Sequence, residues 1–238
     1  MFPLKDNIPT ERFPIVTVAL IVANVLVYFL LQQGLWEISD PEQGTWSFAG
    51  EAAFSCDLAN RCDLPFEHVS APVSVLTSMF MHGSLLHLGG NMLFLWVFGN
   101  NVEDTVGRVA FLAFYLVGGA AAIAAQTLAD TSAAVPTVGA SGAVSAVLCA
   151  YLVLYPRARV ITLIFIVIFF TIIELPAVLL LLLWFGQQVL FNALEYTSGG
   201  AEGGDVAYWA HIGGFVFGLL VIRLLARPKP LRPAPYRY

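Results

Sequence analysis

Long apolar runs alternate with short polar segments along most of this 238-residue chain. A helix needs roughly 20 apolar residues to cross the hydrocarbon core of a bilayer. Runs near that length or longer cover residues 15–31, 85–99, 109–128, 141–155, 160–194 and 206–225. The pattern predicts an all-α fold, a polytopic membrane bundle of six transmembrane helices.

The run 160–194 is too long for one span, because a helix of that length measures roughly 52 Å against a core of about 30 Å. Pro176 suits the first turn of a helix, and the carboxylate of Glu174 just before it complements the helix dipole. The fifth span is therefore predicted at 176–194, with 160–173 at the cytoplasmic membrane interface. A buried, functional Glu174 is the alternative, although a charge at the bilayer centre is costly.

Composition and charge support this topology. The chain is 58% hydrophobic and 11% charged, whereas soluble domains carry about a quarter charged residues. Six spans place both termini on one side, and of the Lys and Arg residues only Arg61 falls on the other side. The positive-inside rule then makes the termini cytoplasmic, in a multi-pass protein of the cell (plasma or inner) membrane. The acidic residues lie mainly in the external loops, so the net charge of −5 indicates no nucleic-acid surface.

The domain boundaries follow from these spans. Residues 1–12 form a cytoplasmic N-terminal segment, 13–227 the six-helix domain, and 228–238 a basic cytoplasmic tail, while the oligomeric state stays open. The first external loop, about residues 32–72, contains Cys56 and Cys62, which can close a disulfide on an oxidising side. A zinc site that adds His68 and Asp57 is disfavoured, because the paired-ligand spacing is missing.

Polar side chains inside the spans indicate candidate functional positions. Spans two, four and six run in the same direction, so the residues near their starts share one leaflet. His87 and Asn91, spaced i and i+4 on one helix face, lie there together with Ser141 and His211. A histidine can take the proton of a serine nucleophile. His87, Asn91 and the Ser141 N–H are candidate donors for an oxyanion.

Small residues surround these positions. Gly139 and Gly142 leave room beside Ser141, and Gly214 and Gly218 lie on the same stripe of span six as His211. Such spacing lets two helix backbones approach closely. The other polar residues of the spans are interpreted as structural: Asn24, Ser145, Gln187 and Gln188.

Taken together, three motifs resemble the rhomboid family of intramembrane serine proteases, in its bacterial-type, six-span form. They are His82-x4-His87-x3-Asn91, Gly139-Ala140-Ser141-Gly142 and Ala210-His211-x-Gly213-Gly214. The run from Gly99 to Tyr115 also resembles the family's connection between spans two and three. The resemblance covers about residues 13–227.

The resemblance implies a serine endopeptidase with a Ser141–His211 dyad and no third acidic member. His87, Asn91 and the Ser141 backbone match the oxyanion-binding positions, and His82 matches a structural or water-retaining histidine. The substrates implied are single-span membrane proteins, cut within the lipid bilayer near the extracytoplasmic face. No metal and no cofactor is implied.

Family analogy also raises two finer expectations. Some members stack an aromatic residue, four positions after the nucleophile, on the catalytic histidine, but that position here is Ser145. Stacking on His211 is therefore expected from Tyr208 or Trp209. Substrate is expected to arrive from lipid near the fifth span, with residues 180–185 as a gate.

The residues leave three alternatives to the protease. A non-proteolytic rhomboid-like protein that binds membrane helices is the main alternative, although such relatives typically lose the nucleophile or the base. A transporter is disfavoured because intramembrane charges are scarce and no inverted repeat is visible. A metalloprotease is disfavoured because the His-Glu-x-x-His motif is missing.

Overall fold

The computed structural model describes residues 2–32, 49–64, 67–166, 169–197 and 206–226. Two predicted segments lie outside these described residues: residues 33–48 of the first external loop and the tail 228–238. The helices are α1 Ile15–Leu26, α2 Ser55–Leu58, α3 Ala71–Ser78, α4 Leu85–Phe94, α5 Asn100–Val106, α6 Arg108–Ala129, α7 Ser141–Leu154, α8 Ala177–Thr197 and α9 Tyr208–Leu225. Two π-helical segments, Val27–Gln32 and Leu95–Gly99, extend α1 and join α4 to α5.

Four helices in the described part of the chain are long and apolar enough to cross a membrane. They are Ile15–Gln32, Arg108–Ala129, Ala177–Leu194 and Tyr208–Leu225. The chain is thus a mostly helical membrane protein, in agreement with that part of the prediction. Helix α7 is shorter, at 14 residues or about 21 Å, and all its residues from Gly142 to Tyr151 are buried. It is therefore enclosed by protein rather than by lipid.

A three-stranded antiparallel sheet corrects the prediction of an all-α fold. Strand β1 (Phe2–Asp6) pairs with β4 (Arg159–Ile166), which pairs in turn with β5 (Phe169–Pro176). The segment predicted as an interfacial stretch is therefore a β-hairpin. Its residues are mostly Val, Ile, Leu, Phe and Thr, which favour strands, but an apolar run by itself cannot distinguish a buried strand from a helix.

Glu174 lies in β5, opposite Ile161 of β4. Its Oε1 forms a 3.1 Å ion pair with Nε of Arg159, and both side chains are about half exposed. The alternative of a buried Glu174 is therefore wrong, and the charge is neutralised at an accessible sheet edge. Helix α8 begins directly after β5, close to the predicted start of the fifth span.

Glu103 of α5 holds the start of α1 in place. Glu103 of α5 accepts hydrogen bonds from the backbone N–H groups of Val16 and Thr17, at 3.1 and 2.7 Å, and from the Thr17 hydroxyl at 2.8 Å. The first N–H groups of a helix have no partner within that helix. The carboxylate therefore caps α1 and fixes its position relative to α5.

A second buried carboxylate joins the sheet to the bundle. Asp6 of β1 accepts hydrogen bonds from the Tyr151 hydroxyl of α7, at 2.6 Å, and from Nδ2 of Asn101 of α5, at 2.7 Å. Burial raises the pKa of Asp6 to about 6, against the opposing effect of the hydrogen bond from Tyr151. Folding thus favours the protonated form of this carboxyl group.

This raised pKa gives a pH-dependent stability. The contribution of Asp6 is fully present below its unfolded pKa of about 3.9 and is lost as the pH rises through the folded value of about 6. We expect Asp6→Asn to gain stability relative to the wild type, on the order of 2 kcal/mol, between about pH 4 and about pH 7. Unfolding in detergent at a series of pH values measures this difference. Asp63→Asn, at an exposed site, is the control for the removal of one carboxylate.

Candidate active site

The nucleophile and base candidates lie at the starts of two adjacent helices. Ser141 is the first residue of α7, and His211 lies in the first turn of α9. The Ser141 Oγ is 2.7 Å from Nε2 of His211, and His211 is only 8% exposed. The N–H of Ala210 donates to Oε1 of Gln126 in α6 at 3.1 Å, which fixes the start of α9. Two residues 70 positions apart thus share a hydrogen bond within the bundle.

Glycines allow α7 and α9 to reach this contact. A Cβ atom on Gly214 would lie 2.1 Å from the carbonyl oxygen of Gly142, and one on Gly218 would lie 2.4 Å from that of Ala146. A Cβ on Gly142 would lie 2.5 Å from the Cβ of Ala122 in α6. Because none of these positions has room for a methyl group, α7 packs with its backbone against both neighbours.

Gly139 shapes the approach to Ser141. Its φ of +123° favours glycine, and a Cβ there would lie 2.7–2.8 Å from the His87 imidazole atoms Cε1 and Nε2. The same Cβ would lie 3.5 Å from the Ser141 Oγ, so the His87 ring lies beside the candidate nucleophile. The N–H of Gly139 donates to the carbonyl of Ser78 at 2.9 Å, which ties this loop to the end of α3.

Asn91 lies one helical turn after His87 on α4, which packs against α7. Its side chain is buried, with 8% exposure, and its Nδ2 has no hydrogen-bond partner among the described residues. A buried amide donor without a partner carries a desolvation cost of about 1–3 kcal/mol. Such a donor is available to an oxygen atom that enters the site.

His82 is held in the segment between α3 and α4. Its N–H donates to Oε1 of Gln32 at 2.9 Å, and Nε2 of Gln32 donates to its carbonyl at 3.2 Å. The His82 Nε2 accepts a long, 3.5 Å hydrogen bond from the N–H of Ala140. Its ring packs edge-on against His87, with centroids 5.1 Å apart. Gln32 ends an apolar run, and nothing in its sequence position pointed to this role.

The remaining neighbours of His211 come from α8. The Trp184 ring lies against the imidazole, with centroids 5.8 Å apart, and Oε1 of Gln188 is 2.8 Å from Nδ1 of His211. The aromatic neighbour that the structure shows for His211 is thus Trp184, a residue that the expectation of Tyr208 or Trp209 did not include. Gln188, interpreted from the sequence as a structural residue, has His211 as its hydrogen-bond partner on another helix. The available signal was an aromatic residue and an amide spaced i and i+4 in an otherwise apolar helix.

Ser145 occupies the position where some rhomboid proteins carry an aromatic residue. It is fully buried, and its hydroxyl donates to the carbonyl of Ser141 at 2.8 Å. The Cβ that Gly214 lacks would lie 3.3 Å from the Cβ of Ser145. Because position 145 carries no ring, the aromatic neighbour of His211 comes from α8 instead of α7.

The described part of the external loop packs next to the site. Cys56 and Cys62 are joined by a disulfide of 2.08 Å. Strand β2 (Ala53–Phe54) pairs with β3 (Pro136–Thr137), and the N–H of Cys56 donates to the carbonyl of Ala133 at 3.1 Å. The disulfide loop is thereby attached to the segment that leads into Ser141.

Comparison with known proteins gives one family. The Rhomboid domain family matches residues 70–228. Rhomboid protein 1, mitochondrial, of Saccharomyces cerevisiae is 28% identical over 85% of this chain and 51% of its own length. Presenilin-associated rhomboid-like protein A, mitochondrial, of Danio rerio is 31% identical over 62% of this chain and 36% of its own. RHOMBOID-like protein 12, mitochondrial, of Arabidopsis thaliana is 29% identical over 59% of this chain and 43% of its own length. The chain thus spans about half, or less, of the length of these relatives.

These relatives correct two expectations. All three are named as mitochondrial proteins, so the expected localisation in the plasma or inner cell membrane is wrong. The expected function, cleavage by a cell-membrane enzyme at the extracytoplasmic face, is wrong with it. The alternative of a non-proteolytic protein that binds membrane helices gains no support from these relatives either.

Proposed function

The chain belongs to the rhomboid family, and on this premise we propose that it is a serine endopeptidase that acts on membrane-spanning helices. Ser141 is the nucleophile and His211 the general base. The observation that carries the proposal is the 2.7 Å contact between the Ser141 Oγ and the His211 Nε2. A serine hydroxyl becomes a strong nucleophile when an adjacent base can take its proton.

The chemical steps follow from this contact. Nε2 of His211 takes the proton as the Ser141 Oγ attacks the scissile carbonyl carbon, and the carbonyl oxygen becomes an oxyanion. The protonated imidazole then gives the proton to the leaving amine, which leaves an acyl group on Ser141. Water, with His211 again as base, releases this acyl group.

Three donors are available to stabilise the oxyanion. The N–H of Ser141 lies at the positive end of the α7 dipole, the His87 ring lies beside the Ser141 Oγ, and Nδ2 of Asn91 is buried without a partner among the described residues. Donors that are already oriented do not have to reorganise during the reaction. His82 supports this arrangement through Ala140 and His87 and has no chemical step of its own.

The membrane topology is part of the proposal. Adding the continuous helix 85–106 and the enclosed helix α7 to the four long helices gives six spans in a domain of residues 13–227. Both termini then lie on one side, with flanking segments 1–12 and 228–238, and the site opens towards the other side. Because α7 is about 10 Å shorter than the bilayer core, Ser141 at its start lies below the membrane surface.

The partners proposed are the lipid bilayer and single-span membrane proteins that offer a helix as substrate. Substrate access beside α8 agrees with the lipid-facing side chains of Leu182 and Leu183, which are about half exposed, while Leu180 and Leu181 are buried against the bundle. The names of the relatives support a mitochondrial membrane as the location of this activity.

A reconstituted cleavage assay tests the proposed function. The purified protein and a single-span reporter, with a label on each side of its apolar segment, are placed in the same lipid vesicles. We expect cleavage within or next to the apolar segment. A reporter that stays intact, in vesicles where the protein is folded, would overturn the proposal.

The role of Asn91 gives a quantitative prediction in this assay. Replacing one oxyanion donor typically lowers kcat by about 10²- to 10³-fold, and we expect Asn91→Ala to fall in this range with KM little changed. Asn24→Ala, whose buried amide donates to the Leu20 carbonyl of its own helix at 2.7 Å, is the matched control. Equal kcat values for the two variants would remove Asn91 from the oxyanion site.

A further inference from the structure

Gln188 of α8 contacts the proposed general base, His211, so its role here rests on the proposed function. In this part of the chain, α8 contributes two side chains to His211, one turn apart: the ring of Trp184 and the amide of Gln188. Gln188 is buried, with 7% exposure, in contrast to its neighbour Gln187, which is exposed. A buried amide in a lipid-spanning helix is costly unless it finds a partner.

Two hydrogen bonds fix how the Gln188 amide is oriented. Its Nε2 donates to the carbonyl of Trp184 at 3.4 Å, and its Oε1 lies 2.8 Å from Nδ1 of His211. An amide nitrogen can only donate and an amide oxygen can only accept. With the nitrogen directed at the Trp184 carbonyl, the oxygen faces His211 and requires a proton on Nδ1.

We propose that Gln188 is a positioning residue that sets the tautomer and the ring orientation of His211. With the proton on Nδ1 donated to Gln188, the lone pair of Nε2 faces the Ser141 hydroxyl, as a general base requires. When Nε2 accepts the serine proton, the Nδ1–H stays bonded to Oε1, so the ring does not turn away. The neutral amide thereby orients the imidazole and fixes its tautomer, as the carboxylate does in a serine–histidine–aspartate triad.

The two side chains that contact the His211 ring in this way, Trp184 and Gln188, both belong to α8. Trp184 restrains the face of the imidazole and Gln188 restrains its edge, so a displacement of α8 would release both restraints together. The orientation of the base therefore depends on the same helix beside which substrate access is proposed. The dyad is ordered when α8 lies against α9.

Two substitutions distinguish positioning from simple packing. Gln188→Met keeps the length of the side chain but removes the acceptor, and we expect kcat to fall by at least about 10-fold with KM unchanged. Gln188→Glu keeps an acceptor oxygen at the same reach and should retain kcat within about 5-fold of the wild type. A role in packing alone predicts the opposite order, because methionine suits an apolar site and glutamate does not. Gln187→Met is the control and should behave as the wild type.

The readouts are kcat and KM for the reporter and the rate at which a fluorophosphonate reacts with Ser141. The fluorophosphonate is small and does not require a transmembrane substrate to bind, so its rate reports the dyad itself. The inference is overturned if Gln188→Met reacts with the fluorophosphonate as fast as the wild type. It is also overturned if Gln188→Glu reacts more slowly than Gln188→Met. If Gln188→Met does not fold, loss of reaction in folded Gln188→Glu overturns it as well. A wild type that neither cleaves nor reacts would instead refute the proposed function.

Discussion

Ser141→Ala is expected to lower cleavage of a membrane-helix reporter by about 10⁴-fold or more, to the level of the assay background. The substitution removes the hydroxyl oxygen that lies 2.7 Å from His211 Nε2 and leaves the backbone N–H of residue 141 in place. Alanine fits the first turn of a helix, so the fold and the binding of substrate should be retained. The loss should therefore appear in kcat, whereas KM and the unfolding temperature stay near their wild-type values.

Ser145→Ala is the matched control for this prediction. Ser145 is a buried serine one turn further along α7, and its hydroxyl donates only to the helix carbonyl of Ser141 in the described structure. We expect its activity to stay within about 3-fold of the wild type, since a hydrogen bond back to the preceding turn adds little to helix stability. If the two variants lose activity equally, Ser141 has no special part in the reaction.

Gly214→Ala is expected to reduce activity by at least about 100-fold and to destabilise the fold. The new Cβ would lie 2.1 Å from the carbonyl oxygen of Gly142, well inside van der Waals contact, so α9 must move away from α7. A misplacement of about 1 Å between catalytic groups can cost about 10²-fold in rate. The accompanying strain is about 1–3 kcal/mol. Cleavage rates and thermal unfolding, measured on the same preparation, test both parts.

Gly186→Ala provides the comparison for Gly214→Ala. Gly186 lies in α8, and a Cβ there has nothing within 4 Å. Alanine also raises helix propensity by up to about 1 kcal/mol over glycine, so this variant should be as active as the wild type and no less stable. If Gly214→Ala keeps wild-type activity, close backbone contact between α7 and α9 is not what brings Ser141 and His211 together.

Much of the site could be located from the sequence, because its residues stand out chemically. Ser141 and His211 are polar residues in apolar spans, and the direction of the spans placed them in one leaflet. The glycines of span six indicated a close helix contact, and the structure has this contact at Gly214 and Gly218. The motifs identified the rhomboid family, which the family comparison confirms.

Other features could not be derived from the pattern alone. The hairpin of β4 and β5 has the same apolar composition as a transmembrane helix, and its pairing with β1 joins segments more than 150 residues apart. The neighbours of His211 also escaped prediction. Ser145 offers no ring, and the aromatic neighbour and the side-chain hydrogen-bond partner of His211 both come from α8. The packing of α8 against α9 is what selects Trp184 and Gln188, and this packing is not visible in the sequence pattern.

The membrane in which the protein resides does not follow from the charge pattern. The positive-inside count distinguishes the two sides of a membrane, but it carries no information on which membrane that is. The mitochondrial names of the relatives bear on that question and the charge pattern does not. The distribution of Lys and Arg predicts only that the two termini of the six proposed spans share one side of the membrane.

Activation of Ser141 by His211 can be measured by reaction of the folded protein with a fluorophosphonate, followed by mass spectrometry of the labelled peptide. We expect a single modification, on Ser141, in the wild type and labelling at the background rate in His211→Ala. His68→Ala, at a histidine 3.4 Å from Asp57 and outside the site, should label as fast as the wild type. Modification of another residue, or undiminished labelling of Ser141 in His211→Ala, would contradict this activation.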